Sequence, residues 1–403
     1  MPVSLTGNVP LPGNYRQMKE RIYLDNSATT QMDAMVLESM LPYFREDFGN
    51  ASSVHIYGQE ARGAVENARR SVADLLGADT KEIVFTSGGT EADNSALWGV
   101  FRSGYRAGNH IITTNIEHPA ILETCRSLER AGAEISYVPV DSSGRADPAA
   151  IEESIREETI LISVMHANNE TGIIQPIEEI SALAKQHNIL MHTDAVQTVG
   201  KIPVKVNDLG IDLLSMSAHK IHGPKGVGVL YIKKGTKFMP FMTGGSHERK
   251  RRAGTENVPS IVGLGTATRL AAERLPEMNS RVAGLLNHFQ SSILDHIPGV
   301  RINGNAPRLP NITNLSFESL EGEAAVIALD LEGLAVSTGS ACASGSLDPS
   351  HVLIAMGLRP DVVQSSLRFS LCYHNTEEEI DRAVQILQSV LKRLRKFSKK
   401  NWG

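Results

Sequence analysis

Ile83-Val-Phe-Thr-Ser-Gly-Gly-Thr-Glu91 reads as an apolar strand that runs through a glycine turn into a helix. Such a turn exposes backbone N–H groups at a helix N-terminus, where a phosphate is favoured. By itself, Gly88-Gly89 is read first as a tight strand–helix turn. Outward from it, helical and strand-like patterns alternate from about residue 58 to 232. The segment Gly58–Gly77 places Ala61, Val65, Ala68, Val72, Leu75 and Leu76 on one helical face. β-Rich runs follow at Ile83–Thr86, Ile111–Thr114, Ile135–Val138, Ile160–Met165 and Ile189–His192, joined in part by amphipathic Ala120–Ala131 and Pro176–His187. Two more, Leu213–Met216 and Gly228–Ile232, flank a glycine-rich turn. This alternation predicts an α/β fold: a mostly parallel seven-stranded sheet with helices on both faces and ligands at the carboxyl ends of its strands.

After about residue 275 the character changes. A long helical pattern leads to strand-like Asn314–Phe317 and Leu334–Ser337, then two helices. The last helix opens with a capping box, Thr376 with Glu379, and lines up Ile380, Ala383, Val384, Leu387, Leu391 and Leu394. The expectation is a large domain over 22–274 and a smaller α/β domain built from 1–21 and 275–403. At 403 residues the chain is too long for one simple core. Its 41% apolar and 21% charged residues are those of an ordinary soluble globular protein. A net charge of -5 argues against direct nucleic-acid or membrane-surface binding. No apolar run approaches bilayer length, and the first twenty residues lack the apolar block of a secretory signal. The cysteines are Cys125, Cys342 and Cys372, an odd set without metal-ligand spacing. That argues against a disulfide framework or metal site and for a reduced, cytoplasmic setting.

Two further stretches add chemistry. In Met191-His-Thr-Asp-Ala-Val-Gln197, Asp194 follows an apolar strand, where it can face a ligand or cap a helix. In Leu213-Leu-Ser-Met-Ser-Ala-His-Lys220, the lysine ends a strand before a glycine-rich turn. A partly desolvated amine there would be free to form a Schiff base. The alternative, a surface loop lysine, suits Lys225 better. A phosphate cradle, a carboxylate for a pyridinium nitrogen and an imine-forming lysine are together what pyridoxal 5'-phosphate needs from a protein.

With Tyr23-Leu-Asp-Asn-Ser-Ala-Thr-Thr30, Ile116-Glu-His118, His166-Ala-Asn-Asn-Glu170 and Ser365-Ser-Leu-Arg-Phe-Ser370 added, the chain resembles the class V aminotransferase group of fold-type-I pyridoxal-phosphate enzymes over nearly its whole length. Within that group it resembles the cysteine desulfurases of the NifS/IscS kind. The resemblance implies that Lys220 carries the cofactor, Asp194 pairs with its ring nitrogen and Gln197 with its ring hydroxyl oxygen. His118 would stack on the ring and help with proton transfer. Gly89, Thr90, Ser217 and His219 would hold the phosphate, with Thr255 reaching it from the partner of a homodimer. Asn169 and Arg368 would grip the substrate carboxylate, Arg368 by a bidentate pair. Three positions depart from the family pattern: Ala51 where proline is usual, and Ser246 and Lys250 where glycine is.

The substrate is read from Ser337-Thr-Gly-Ser-Ala-Cys-Ala-Ser-Gly-Ser-Leu-Asp-Pro349. Cys342 sits among Ser, Ala and Gly, which cannot build a packed core, and Gly339 and Gly345 give the loop freedom to swing. Asp348 and Pro349 would start the next helix. A thiol of pKa about 8.5 is only a few per cent thiolate at neutral pH, yet strongly nucleophilic. Cys125 and Cys372 read as buried core residues instead. The resemblance then implies a desulfurase that converts L-cysteine to L-alanine, leaves a persulfide on Cys342 and passes sulfur to an acceptor such as an iron–sulfur scaffold or thiolation protein. Asn26 and the lack of a recognisable scaffold-docking extension lean towards the NifS-like side. An aminotransferase or selenocysteine lyase of the same fold, and a catalytically silent paralogue, are the rival readings. Among the basic runs, Arg249–Arg252 resembles a nucleic-acid patch but lies inside a family motif. Lys392–Lys396 suits the end of a helix.

Overall fold

The computed structural model describes residues 21–338 and 349–398. Its central sheet has seven strands: β1 (Ile83–Thr86), β2 (His110–Thr114), β3 (Glu134–Val138), β4 (Thr159–Ser163), β5 (Leu190–Asp194), β6 (Leu213–Ser217) and β7 (Gly228–Ile232). Their spatial order is β1-β7-β6-β5-β4-β2-β3. Only β7 opposes its neighbours, so β1 to β6 all point their carboxyl ends to one edge. The fourth strand stops at Ser163 rather than at Met165. Met165 N donates to Glu117 Oε1 at 3.0 Å, while Val164 N and His166 N still donate to the His192 and Asp194 carbonyls of β5.

Alternation along the strands divides the core. Ile111, Leu161, Leu190, Leu213 and Leu230 face α2 (Gly89–Phe101) and α3 (Pro119–Arg130). Their neighbours Ile112, Ile162, Met191, Leu214 and Tyr231 face the other way. There they meet α1 (Ile56–Leu76), α4 (Ile177–Gln186) and α5 (Val258–Glu277). Successive apolar residues are thus buried on opposite faces, which is why these strands read as continuous apolar runs.

A second core gathers around an antiparallel sheet of Val300–Ile302, Ile312–Phe317 and Ser366–Ser370. The helix Glu377–Ser398 packs Ile380, Ala383, Leu387 and Leu391 against it, and Thr376 and Glu379 form the expected capping box. Two details differ from the sequence reading. Ser366–Ser370 is a strand, preceded by the helices His351–Ala355 and Pro360–Gln364. It was hidden by its polar residues: Leu367 and Phe369 enter this core, while Ser366, Arg368 and Ser370 are also buried. The helix after the cysteine loop is capped by Ser350, not by Asp348 with Pro349. Ser350 Oγ accepts from Leu353 N at 3.1 Å and donates to Glu170 Oε2 at 2.6 Å, so a bond to another part of the fold sets where the helix begins. Asp348, Cys342 and the N-terminal segment 1–20 lie outside the described residues.

An ion pair ties the segment after β7 to the sheet. Arg69 of α1 forms two bonds of 2.8 Å to the Glu248 carboxylate and one of 2.9 Å to the Ile83 carbonyl. Phe85 N donates to the same carboxylate at 3.0 Å. Both side chains are 4% exposed. Removing one partner strands a buried charge. Arg69→Met should therefore lower unfolding free energy by about 3–5 kcal/mol in urea titrations. Adding Glu248→Gln should recover part of that loss.

Candidate active site

The strand ends and following turns form an open cleft lined by Ser27, Ala28, Gly89, Thr90, Asp93, His118, Asn169, Asp194, Gln197, Ser217, His219 and Lys220. On one side, α2 starts at Gly89 directly after β1. Gly88 takes φ 154°, and a Cβ on Gly89 would come within 2.8 Å of Val196 Cγ2. Side chains are thus excluded from the helix N-terminus, and its N–H groups stay open. Ser217 closes that corner: a Cβ on Gly88 would stand 3.9 Å from its hydroxyl oxygen. Glu91 fastens the turn by accepting from Ser87 N at 2.7 Å and from Arg252 Nε at 2.8 Å.

Lys220 ends a short 3-10 turn after β6 and is 9% exposed. Its Nζ donates to the carbonyl oxygens of Ser27, at 2.5 Å, and Ala28, at 2.8 Å. Lys225 is exposed, as a loop lysine should be. Asp194 closes β5, and no α-helix follows it. Its Oδ1 accepts from Val196 N at 2.9 Å. Burial pushes its carboxyl up to about 6, against the opposing pull of that N–H and of Lys220. A cation placed against it would reverse the shift.

His118 caps α3, its Nδ1 accepting from Ala120 N at 3.1 Å. Burial, then the charges of Lys220 and His351, take its ring down to about 4. The neutral ring therefore carries its proton on Nε2. Gln197 donates from Nε2 to the Ser27 carbonyl at 2.9 Å. His219 Nδ1 is 3.2 Å from Thr29 Oγ1, and burial and then Lys220 bring its ring down to about 4.

Two expected residues lie outside this lining. Thr255 is exposed. Arg368 is wholly buried behind Asn169, with Nη1 donating to the Asn169 carbonyl at 3.0 Å and Nη2 to Asp25 Oδ1 at 2.8 Å. Its Nε is a buried donor without a partner among the described residues. Cys342 lies outside the described residues, but the flanking chain is placed at both ends. Ser337 exchanges main-chain bonds with Arg368, and Ser350 is joined to Glu170. Cys125 and Cys372 are buried, which raises both thiols, Cys125 to about 12.

Sequence reading missed the carboxyls behind Asp194. Asp93, 1% exposed, is raised by burial and then by Asp194. Burial takes Glu117 up to about 8. Asp93 follows Gly89 by four positions on α2, a helical spacing that could have revealed it. The arginines of the 249–252 run are engaged within the chain. Arg252 pairs with Glu91, and Arg249 and Arg251 donate to the Thr80 and Lys81 carbonyls.

The residues present fit pyridoxal phosphate. An open helix N-terminus, a buried carboxylate and a buried lysine share one cleft with the Ser27 hydroxyl, whose oxygen has no hydrogen-bond partner among the described residues. Comparison with known proteins agrees. The Aminotransferase class-V family profile matches residues 22–383. Cysteine desulfurase IscS of Dictyoglomus turgidum is 49% identical over 388 residues, 96% of this chain and 98% of that protein. A NifS-like protein of known structure superposes with a TM-score of 0.87 at 41% identity, covering 93% of this chain and 100% of its own. SspA, solved in complex with cysteine, gives 0.78 at 37% identity over 87% of this chain and 98% of its own. From the match of profile, sequence and architecture over nearly its full length, the chain belongs to the class-V aminotransferase family, in its cysteine desulfurase branch.

Proposed function

We propose that the chain takes sulfur from L-cysteine, releases L-alanine and carries the sulfur as a persulfide on Cys342. One observation carries the reading: Gly89, His118, Asn169, Asp194 and Lys220, from five separate turns, line a single cleft. Its relatives are named cysteine desulfurases, and one related structure holds cysteine.

Bound there, pyridoxal phosphate supplies an electron sink for the carbanion left when an amino acid loses its Cα proton. Gly89, Thr90, Ser217 and His219 would hold the phosphate beside the α2 N-terminus. Asp194 would pair with the ring nitrogen, and Gln197 would donate to the ring hydroxyl oxygen. His118, which keeps an Nε2–H donor, would lie against the ring. Lys220 would hold the cofactor through Nζ, and its amine would serve as the base for the Cα proton. Asn169 would hold the substrate carboxylate from the cleft wall, with Arg368 beside it bonded to the Asn169 carbonyl. The Cys342 thiolate attacks the substrate sulfur. An S–S bond forms, the Cβ–S bond breaks with its electron pair moving to the carbon side, and protonation there completes alanine.

The same reading places the enzyme in the cytoplasm as a homodimer, with Thr255 reaching across to its partner's phosphate. An acceptor protein in iron–sulfur or thiolation chemistry takes the persulfide. The domain boundary falls near residue 274. The first core draws on α5 as far as Ala271 and the second takes up the chain at Met278, while Ile22 and Leu24 join the second core and Val352, Leu353, Met356 and Val363 the first.

Sulfide and alanine release from L-cysteine with a reductant tests the assignment. Wild type should form both in equal amounts, and Lys220→Ala and Cys342→Ala should each abolish turnover. Normal turnover by Cys342→Ala would replace the carrier role with a lyase or transaminase reading. Asp194→Asn removes a charged hydrogen-bond partner. Equilibrium dialysis should show the cofactor bound about ten- to a hundredfold more weakly.

A further inference from the structure

Lys220 also borders a second cavity, whose walls include Asn26, Lys201, Asn311, Cys372 and Tyr373. Lys201 is 4% exposed, and no role in the chemistry above uses it. Its Nζ donates to Gln197 Oε1 at 2.9 Å. At the other end of that amide, Gln197 Nε2 donates to the Ser27 carbonyl at 2.9 Å, the oxygen that also accepts from Lys220. A single hydrogen-bonded line thus runs from Lys201 through Gln197 and Ser27 to Lys220.

The line has a direction that chemistry imposes. A glutamine amide has nearly the same shape either way round, so packing alone does not choose between its oxygen and nitrogen ends. An ammonium only donates, so the amide oxygen must turn to Lys201. A carbonyl only accepts, so the amide nitrogen must turn to Ser27. Of the two N–H bonds at that nitrogen, one goes to Ser27 and one is left for the cleft that Gln197 lines.

We propose that Lys201 is a positioning residue that acts with the Ser27 carbonyl to fix the polarity of the Gln197 amide, so that the cleft meets an N–H donor rather than a carbonyl oxygen. The inference rests on the reading above that Gln197 faces the ring hydroxyl oxygen of the cofactor. An ionised ring oxygen would be repelled by an inverted amide. The charged groups that act on Lys201 are Lys220 and Arg368, with the Cys372 thiol opposing them. Burial and then those cations bring Lys201 down to about 7. A neutral amine could also accept from the amide, so the lock holds most firmly while Lys201 is protonated.

A double-mutant cycle on the holoenzyme tests this, read by cofactor retention in dialysis and by the pH titration of the cofactor's visible absorption. Lys201→Met keeps the unbranched shape and most of the length of the side chain and removes its donors. It should weaken retention on the order of tenfold and shift the titration. Gln197→Leu should do the same, and the double variant should be no worse than Gln197→Leu alone. Lys201→Arg, which still only donates, should behave as wild type, and Lys201→Gln, which permits either orientation, should be impaired. The Arg and Gln variants carry the test if Lys201→Met does not fold, and equal behaviour of the two would overturn the proposal. So would a Lys201→Met effect that adds fully to that of Gln197→Leu, because the lysine would then act independently of the amide. A silent Gln197→Leu would overturn the underlying reading of Gln197 and the proposal with it.

Discussion

The site depends on the contact between Lys220 and the carbonyls of Ser27 and Ala28. A buried amine needs acceptors, and the chain supplies them from a segment nearly two hundred residues away in sequence. That segment is itself pinned on both sides. Thr30 Oγ1 donates to the His219 carbonyl at 2.8 Å. Asn26 Nδ2 donates to the Ser370 carbonyl at 2.9 Å, and Ile22–Tyr23 pairs with Leu334–Ala335. The turn that carries Lys220, the second core and the cleft therefore share one connector. Asn26, read in the sequence as a mark of relationship, is here a buried strut.

Around this connector the cleft is low in dielectric and crowded with groups held neutral. The rings of His118 and His219 are both brought far below the ordinary imidazole range, and Glu117 and Asp93 are raised above the carboxylate range. Burial is the leading cause in each case. The field in the cleft is consequently set by a few groups, chiefly Lys220 and Asp194, and each acts with little screening from solvent.

Much of this was legible in the sequence because the informative patterns are local. Seven apolar runs gave seven strands, and the turns after them carried Gly89, His118, Asp194 and Lys220 into the same cleft. What stayed hidden is non-local. The Ser350 cap is selected by Glu170, 180 positions away, so the local signal of Asp348 and Pro349 misplaced it. The strand Ser366–Ser370 buries an arginine, whose partners Asp25 and Asn169 no local reading supplies. Lys201 looks like any lysine after a glycine until Gln197 is seen to face it.

The turn after β7 shows what the Arg69–Glu248 pair permits. Glu248, Arg249 and Lys250 have φ of 44°, 55° and 65°, a left-handed run for which glycine is the usual residue. Lys250, where the resemblance leads to an expectation of glycine, takes this left-handed conformation as a lysine. The turn's conformation is imposed from within, by a carboxylate gripped from α1 and from β1. Backbone shape is thereby uncoupled from side-chain identity at the exposed tip. The exposed side chains at the tip can therefore carry charge in a conformation that glycine would adopt without strain.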